Sequence, residues 1–552
     1  MTDTLRTFLA LAGLLSSSAW GTTYYVNDNT DAPLGGAVTC VTQQPCTLRA
    51  AIEAANANPG SDTITFEFSG SSQVIALTSA LPAIVAPLTI DGYTLGTGGV
   101  ANTDATGQNA QITIRLDGQA SPGLAGLLFL PGSDGSVLRG VAITRFKGPG
   151  VAISGASHIA VQGNLIGTDG SGENGDETGA LANGGPAVLI DSSAALNTVG
   201  GPALADRNLL VSDSDSPAVH LNGDGTEGNR ITDNLIGTNR LGTLRVGTAR
   251  GVEIGYANGN FLHANVIGAL IHGIHLYGSG NGNDHTITAN KIGTGTGGQP
   301  IGGGGDGILI QDAPGPSALG PQGTRIGGTN AGEGNLIAHW EGNGVRIERQ
   351  RSNGNLARHA ILGNSIHDNG ALGIELVAQG AGNGPGHAPA GVNDAIPAPA
   401  ILSAVMGGGG VQASYQLQGA PASTLYRFEA FASTACDISG WGEGQRYLGA
   451  GMLSTNAAGT ASGSALWLGA AAGEFLTLTA TRDYGGEQGL AETSEFSQCV
   501  LVQSKPGGGP GEPVGTVAVP ALGQAGLALL SGALALLGLR RQRAKKNEAT
   551  SP

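Results

Sequence analysis

Charge is scarce in this chain. Only 12% of its 552 residues are Asp, Glu, Lys or Arg, and aromatics make up 4%. The basic side is the poorer one, with 26 Lys and Arg against 41 Asp and Glu, for a net charge of −15. Such a surface does not neutralise a phosphate backbone, which excludes nucleic acid as a partner class. Cysteine is limited to four, with no CxxC pair and no clustered histidine, so a zinc module is disfavoured; no metal and no cofactor is expected. Collagen is excluded by the lack of a Gly-X-Y period. What the chain has in excess is glycine, 97 residues, about 18% where ~7% is usual. Glycine at that level suits short strands joined by tight turns, because it reaches positive φ without steric cost.

Aligned on itself, the chain repeats. Eight segments share a small–apolar–variable–apolar pattern, from Gly150-Val151-Ala152-Ile153 through Gly251-Val252-Glu253-Ile254 to Gly373-Ile374-Glu375-Leu376, at a mean period of about 32 residues. Between successive segments lies one asparagine followed by an apolar pair or near-pair: Asn164, Asn208, Asn234, Asn265, Asn290, Asn335 and Asn364. The alternation turns inward the residues three before and two after each asparagine. A unit this short cannot bury its own ends, so units must stack, with strands of successive turns pairing in parallel about 4.8 Å apart. The asparagine is expected at a corner, where it tolerates left-handed backbone and can join its copies above and below in a ladder. The pattern resembles the right-handed parallel β-helix of pectate-lyase-like proteins, over residues 62–394. A β-propeller or sandwich array is the runner-up, disfavoured because antiparallel blades should show hairpin turns.

At the front, Arg6, the apolar residues 8–15 and the small residues leading into Ala19-Trp20-Gly21 predict a cleaved signal peptide over residues 1–21. Export to an oxidising compartment agrees with the even cysteine count. Four cysteines allow three connectivities. The local pairs, Cys40 with Cys46 and Cys436 with Cys499, are favoured because each closes a loop within one module. Residues 22–61 read as an end cap: Leu48, Ala51, Ile52 and Ala55 share one helical face, Pro59-Gly60 stops the helix, and residues 63–68 alternate as a strand. With Cys46-Thr47-Leu48-Arg49-Ala50-Ala51 in the namesake position, this front resembles the CSLREA module of secreted bacterial proteins, departing from it at Thr47 and Ala50.

Residues 395–503 change character, to longer strands with turns every eight to twelve residues or so, which suits a small β-sandwich. Ala435-Cys436-Asp437, Gly442-Glu443-Gly444 and Thr493-Ser494-Glu495-Phe496-Ser497 resemble the immunoglobulin-like module that follows such helices in CSLREA proteins. Residues 504–518 are a Gly/Pro linker. In residues 519–546 an uncharged stretch, 522–539, close to the minimum for a bilayer span, precedes Arg540, Arg541, Arg543, Lys545 and Lys546. That order, headed by Val519-Pro520-Ala521-Leu522, resembles the IPTL-CTERM sorting tail. The resemblance implies a single terminal transmembrane helix, a sorting protease as partner, and a place in the cell envelope, on its surface or beyond it.

Chemistry on a β-helix must sit on outward side chains of adjacent turns. The variable column runs Ala152, Leu189, His220, Glu253, His275, Leu309, Arg346, Glu375, and two residues further on Ser154, Asp191, Asn222, Gly255, Tyr277, Gln311, Glu348, Val377. His220, Glu253 and His275 fall on three consecutive turns, a carboxylate between two imidazoles, and are the candidates for acid/base or metal chemistry; the competing reading is a solvated sheet face with cross-strand charge pairing. Closely spaced aspartates, Gly-His-Gly and Arg-x-Lys, the polygalacturonase set, do not occur together. Asp284-His285 reads as a turn device, and Arg346, Arg349 and Arg351 as surface ion-pair partners. The expected function is a non-catalytic secreted or envelope protein presenting a surface to polysaccharide or other cell-surface ligands; the alternative is a carbohydrate-active lyase, hydrolase or epimerase.

Overall fold

Between Arg230 and His263 the chain makes one full circuit. Arg230–Thr232 joins a first sheet, Leu235–Ile236 a second and Arg250–Gly255 a third, and Phe261–His263 returns to the first, paired in parallel with Arg230–Thr232. Repetition of the circuit builds three parallel sheets of 11, 10 and 9 strands, mainly β architecture of the parallel β-helix kind. The computed structural model describes residues 21–505, apart from 36–38, 43–44, 69–71, 95–97, 122, 124, 169–180, 279–283, 314–319, 352–354, 379–388 and 486–488. The expected signal peptide, all but Gly21, and the expected span at 522–539 lie outside the described residues. Among the described residues no helix is long and apolar enough to cross a membrane.

The inward columns are aliphatic. On the third sheet Ile190, Leu221, Ile254, Leu276, Ile310, Ile347 and Leu376 stack in one buried file. Each such side chain stabilises by about 1.5–3 kcal/mol, so these files, more than the ion pairs on the outside, hold the coils together. The residues two after the repeat asparagines, such as Ile166, are all buried, and so are Val161, Ile231, Leu262, Ile287 and Ile361 three before, whereas Ala205 and Gly332, three before Asn208 and Asn335, are exposed.

All seven asparagines form one continuous column. The side-chain amide of each donates to Oδ1 of the next, at 3.2 Å for Asn164–Asn208, 2.9 Å for Asn208–Asn234, 3.0 Å for Asn234–Asn265, Asn265–Asn290 and Asn290–Asn335, and 2.8 Å for Asn335–Asn364. The same amide also donates to a main-chain carbonyl of the preceding coil, as Asn265 does to Ile231 O at 2.8 Å. One detail of the expectation is corrected. None of the seven asparagines has a positive φ; the left-handed residue is the one before, in Gly163, Asp233, Ala264, Ala289 and Gly363. The asparagine is there for its side chain, which satisfies buried main-chain groups that would each cost about 1–3 kcal/mol if left unpaired.

A second column stands at the corner between the third and first sheets. Asn197 donates to Asn229 and Asn229 to Asn260, both at 3.0 Å, and the Asn260 N–H then donates to Nδ1 of His285 at 3.2 Å. His285 is thus the turn device expected of it, buried in a rung that asparagine fills elsewhere. The outward face of the second sheet is dry: Ala142, Leu165, Leu209 and Leu235 are covered by Ala110, Ile112, Val211 and Val246. Arg207 pins that cover by donating to the carbonyls of Asp104, Ala105 and Gly107 while pairing with Asp233 at 2.8 Å.

Both ends of the stack are closed. At the start, the helix Leu48–Ala57, capped by Thr47 accepting from the Ala50 N–H, lays Leu48, Ala51, Ile52 and Ala55 over the first coil. The strand Thr23–Val26 lies ahead of that helix but already belongs to the first sheet, beside Asp62–Phe66, so the β-helix begins before the expected boundary at residue 62. Cysteines 40 and 46 are bonded, as are 436 and 499.

At the far end, residues 400–501 form two antiparallel sheets. Ala400–Gly407, Gly410–Leu417 and Ala461–Leu468 make one; Arg446–Ser454, Leu425–Ser433, Phe475–Asp483, Leu490–Thr493 and Val500–Leu501 make the other. Between them pack Val411, Tyr415, Phe428, Trp467, Leu476 and Leu478. This unit plugs the last coil. The main-chain N–H groups of Ile361, Gly363, Asn369 and Leu376 donate to Thr493 Oγ1, Glu429, Glu443 and Glu495, at 2.8, 2.8, 3.2 and 2.9 Å. Ile366 and Gly444 exchange two main-chain bonds. Phe431 and Phe496 enter the β-helix core. An open sheet end would expose those donors, and three acidic side chains supply the missing acceptors.

Candidate functional site

The third sheet carries the candidate residues because its strands are the longest of each circuit and alternate cleanly. Val252 and Ile254 point in, which forces Glu253 out. The register places His220 beside Glu253 and Glu253 beside His275, in adjacent strands. His220 Nε2 stands 3.9 Å from Glu253 Oε1, and His275 Nδ1 stands 3.8 Å from Glu253 Oε2. These gaps are too long for hydrogen bonds. The closest cation is Arg250, whose Nη1 lies 3.1 Å from Glu253 Oε2.

The electrostatics follow from burial. Burial drives the His220 imidazole below its ordinary value in spite of Glu253, which keeps it neutral at pH 7. The Glu253 carboxyl is pushed up by burial but pulled down further by His275, Arg250 and His220, and ends below the usual glutamate range. Beside it, burial and then Glu253 raise the Tyr277 phenol to about 12. His272, three positions before His275 in the same strand, is brought down to about 4 by burial against the pull of Asp306. At neutral pH an ionised Glu253 carboxylate therefore stands beside a neutral His220 ring and a neutral Tyr277 phenol.

Of these groups, Glu253, His275 and Tyr277 line a groove of about 650 Å³, with Tyr256, Gln311 and Arg351 among the other lining residues. Tyr256 and Tyr277 meet edge to face with centroids 5.6 Å apart, and the His275 ring is 5.1 Å from Tyr277. Gln311 Nε2 lies 2.9 Å from His275 Nε2. The carboxylates along this face are held by arginines: Glu253 by Arg250, Asp312 by Arg351 at 2.9 Å, Glu348 by Arg346 at 3.3 Å, and Glu375 by Arg346 at 3.9 Å. The pairing expected of Arg346 and Arg351 is thus present.

The outward columns of the sequence are the columns of the folded sheet, from His220 to Glu375 and from Asn222 to Val377. Sequence reasoning missed Arg250, Tyr256, Asp312 and Gln350, and named Arg351 only as a surface ion-pair partner. Tyr256 and Asp312 each follow the second outward column by one residue, and extending that column by one position would have found them. A metal centre on His220, Glu253 and His275 is not formed: among the described residues no three His, Cys, Asp or Glu side chains converge as a cation site.

Residues 517–544 match the IPTL-CTERM motif. The match embraces Val519, Pro520, Ala521 and Leu522, all outside the described residues. No curated protein matches this chain. Among solved structures, the A-module of the mannuronan C-5 epimerase AlgE4 of Azotobacter vinelandii is 16% identical, with a TM-score of 0.27, over 60% of this chain and 71% of that one. Tailspike protein 2 of the Escherichia coli O157:H7 bacteriophage CAB120 is 10% identical, with a TM-score of 0.24, over 86% and 64%. The capsular polysaccharide depolymerase tailspike gp49 of the Acinetobacter baumannii bacteriophage Fri1 is 10% identical, with a TM-score of 0.21, over 87% and 84%. At such scores the likeness does not extend to chemistry.

Proposed function

We propose that this chain is an exported, envelope-associated rod that holds glycan chains in the groove of its third sheet without cleaving them. The observation that carries the reading is the groove itself, where aromatic rings and polar groups line an open channel while the carboxylates beside it are tied to arginines. Open channels of this kind bind by a few placed polar groups on an apolar floor, and Tyr256, Tyr277 and His275 offer ring faces and edges to sugar rings. Glycoside hydrolysis needs two carboxyl groups about 5–9.5 Å apart, one of them free to protonate the leaving oxygen. Asp312, two strands from Glu253, has no exposed side chain and is bound by Arg351 and the Gln350 N–H.

Export is supported by the two disulfides and the IPTL-CTERM motif. In this reading residues 1–21 are a signal peptide, the front cap is CSLREA-like, the β-helix is right-handed, the terminal plug is an immunoglobulin-like sandwich, and residues 519–546 anchor the chain in a membrane until a sorting protease removes them.

Glu253 lying between two imidazoles with Tyr277 alongside favours a second reading, a carbohydrate-active enzyme using these groups as acid and base. The test is to incubate the purified chain with uronate and neutral polysaccharides, following unsaturated product by absorbance and new reducing ends. Binding without turnover is expected. Turnover that disappears in Glu253→Gln would replace the first reading by the second.

A further inference from the structure

The terminal plug has two outer faces and uses one. The sheet that contains Leu425–Ser433 turns Glu429 and Phe431 to the last coil. The other sheet, Ala400–Gly407, Gly410–Leu417 and Ala461–Leu468, buries Val411, Ala413, Tyr415 and Trp467 inside the plug. Alternation then turns the residues between them outward, away from the β-helix. On that open side Gln412 lies beside Leu466, Gly410 beside Leu468 and Ser414 beside Ser464. Leu466 is 42% and Leu468 61% exposed. Residues 396–426 and 447–473, which supply all three strands, contain no Asp, Glu, Lys, Arg or His, in a chain whose net charge is −15.

The chain leaves the fold from this same sheet. Gln503 accepts the Met406 N–H at 2.9 Å and donates to the Ala404 carbonyl at 3.0 Å. From there 18 residues lead to the uncharged stretch 522–539, and however they are arranged they reach no farther than about 60 Å. Two kinds of occupant compete for an exposed apolar face, a protein and a membrane. Eight residues by three strands span about 27 by 14 Å, or roughly 380 Å². A stable protein pair buries about 800 Å² on each partner, so a second copy seated on this face alone finds less than half of what it needs. A lipid surface requires no matching outline, and exposed leucines enter its headgroup boundary. What bars such contact elsewhere is charge, because an anionic surface repels acidic groups that come within about 10 Å of it. The uncharged sheet is where that repulsion is least.

Building on the membrane-anchoring reading above, we propose that the outer face of this sheet is where the anchored rod meets the lipid surface, with Leu466 and Leu468 entering the headgroup boundary. The plug is then a foot as well as an end cap, and the β-helix with its groove projects away from the membrane.

The experiment uses the full chain in phosphatidylcholine liposomes, with or without bromine on the acyl chains, and flotation to establish that the chain is anchored. Leu466→Trp puts a fluorescent reporter on the face. Leu244→Trp, at a β-helix position 63% exposed, is the control, and each is read as its difference from the parent, whose own tryptophans are common to all. An unchanged melting temperature in each variant is the folding control. Brominated lipid is expected to quench the added fluorescence of Leu466→Trp and not that of Leu244→Trp, at low and high salt alike. Adding Leu468→Asp to Leu466→Trp is expected to restore the signal. A floating chain with no quenching at position 466, or with equal quenching at both positions, would overturn the inference and leave the anchoring reading standing. Light scattering that showed dimers split by Leu468→Asp would overturn it too, and give the face to a second copy. A chain that does not float would overturn both readings.

Discussion

Replacing His285 by asparagine should make the protein less sensitive to acid. In the second corner column His285 accepts the Asn260 N–H through Nδ1, where the preceding coils use an asparagine Oδ1. Burial lowers its pKa from 6.5 to about 4. A depressed folded value means that the unfolded chain takes up the proton first. The contribution is therefore fully present above pH 6.5 and is lost as pH falls from there towards 4. At pH 5.0 the unfolded state has gained on the folded one by 1.36 kcal/mol for each of 1.5 pH units, or about 2 kcal/mol. His359, fully buried and lowered to about 3, adds a similar loss, but it is common to both proteins and cancels in the comparison. Urea unfolding followed by far-ultraviolet circular dichroism at pH 7.5 and 5.0 would measure the effect. His285→Asn should be about 2 kcal/mol less pH-sensitive than the parent. Equal sensitivity in the two proteins would refute the view that this ring is held neutral by its place in the column.

Three further outcomes rest on the same fold. Asn265→Ala, in the middle of the first column, strands the Asn234 N–H and the Ile231 carbonyl and removes one of the three acceptors of the Asn234 amide, and should cost about 2–4 kcal/mol, read as a lower urea midpoint; a loss under 0.5 kcal/mol would deny the column its stabilising role. Burial raises Glu443 from 4.5 to about 7; a raised value stabilises below pH 4.5 and fades as pH climbs through 7, so Glu443→Gln should gain up to about 3 kcal/mol relative to the parent between pH 4.5 and 8, and limited proteolysis of the plug at pH 8 should slow accordingly. Joint replacement of Cys436 and Cys499 by serine opens a loop of 63 residues and should lower stability by about 4 kcal/mol, seen as an earlier thermal transition.

What could be read from the sequence was whatever repeats with the coil. Val252 and Ile254 alternate because each copy fills the same slot in the core, and Asn265 stands out because its copies need one another. From that register the pairing of His220, Glu253 and His275 followed. The second column escaped notice because its fourth rung is His285 and not asparagine, a substitution that keeps the acceptor but breaks the spelling. Tyr256 and Gln350 escaped because they lie just past the strand ends, where loop lengths differ from coil to coil, and Asp312 because it closes its strand beside Gly278, one position beyond the columns that were read. The role of residues 400–501 was half legible. Glu443, Glu495 and Phe496 stood in the segments that carried the immunoglobulin-like resemblance, yet only the fold shows that they answer the bare donors of the last coil.

That plug bears on how such a rod ends. A stack of like rungs has no internal reason to stop, and an exposed last coil would offer its bare strand edges to another chain. Glu429, Glu443 and Glu495 occupy those bonding positions with side chains that cannot propagate the lattice. The extent of stacking is thereby written into one polypeptide, and a chain cut before Ala400 should bare its last coil and self-associate through that end.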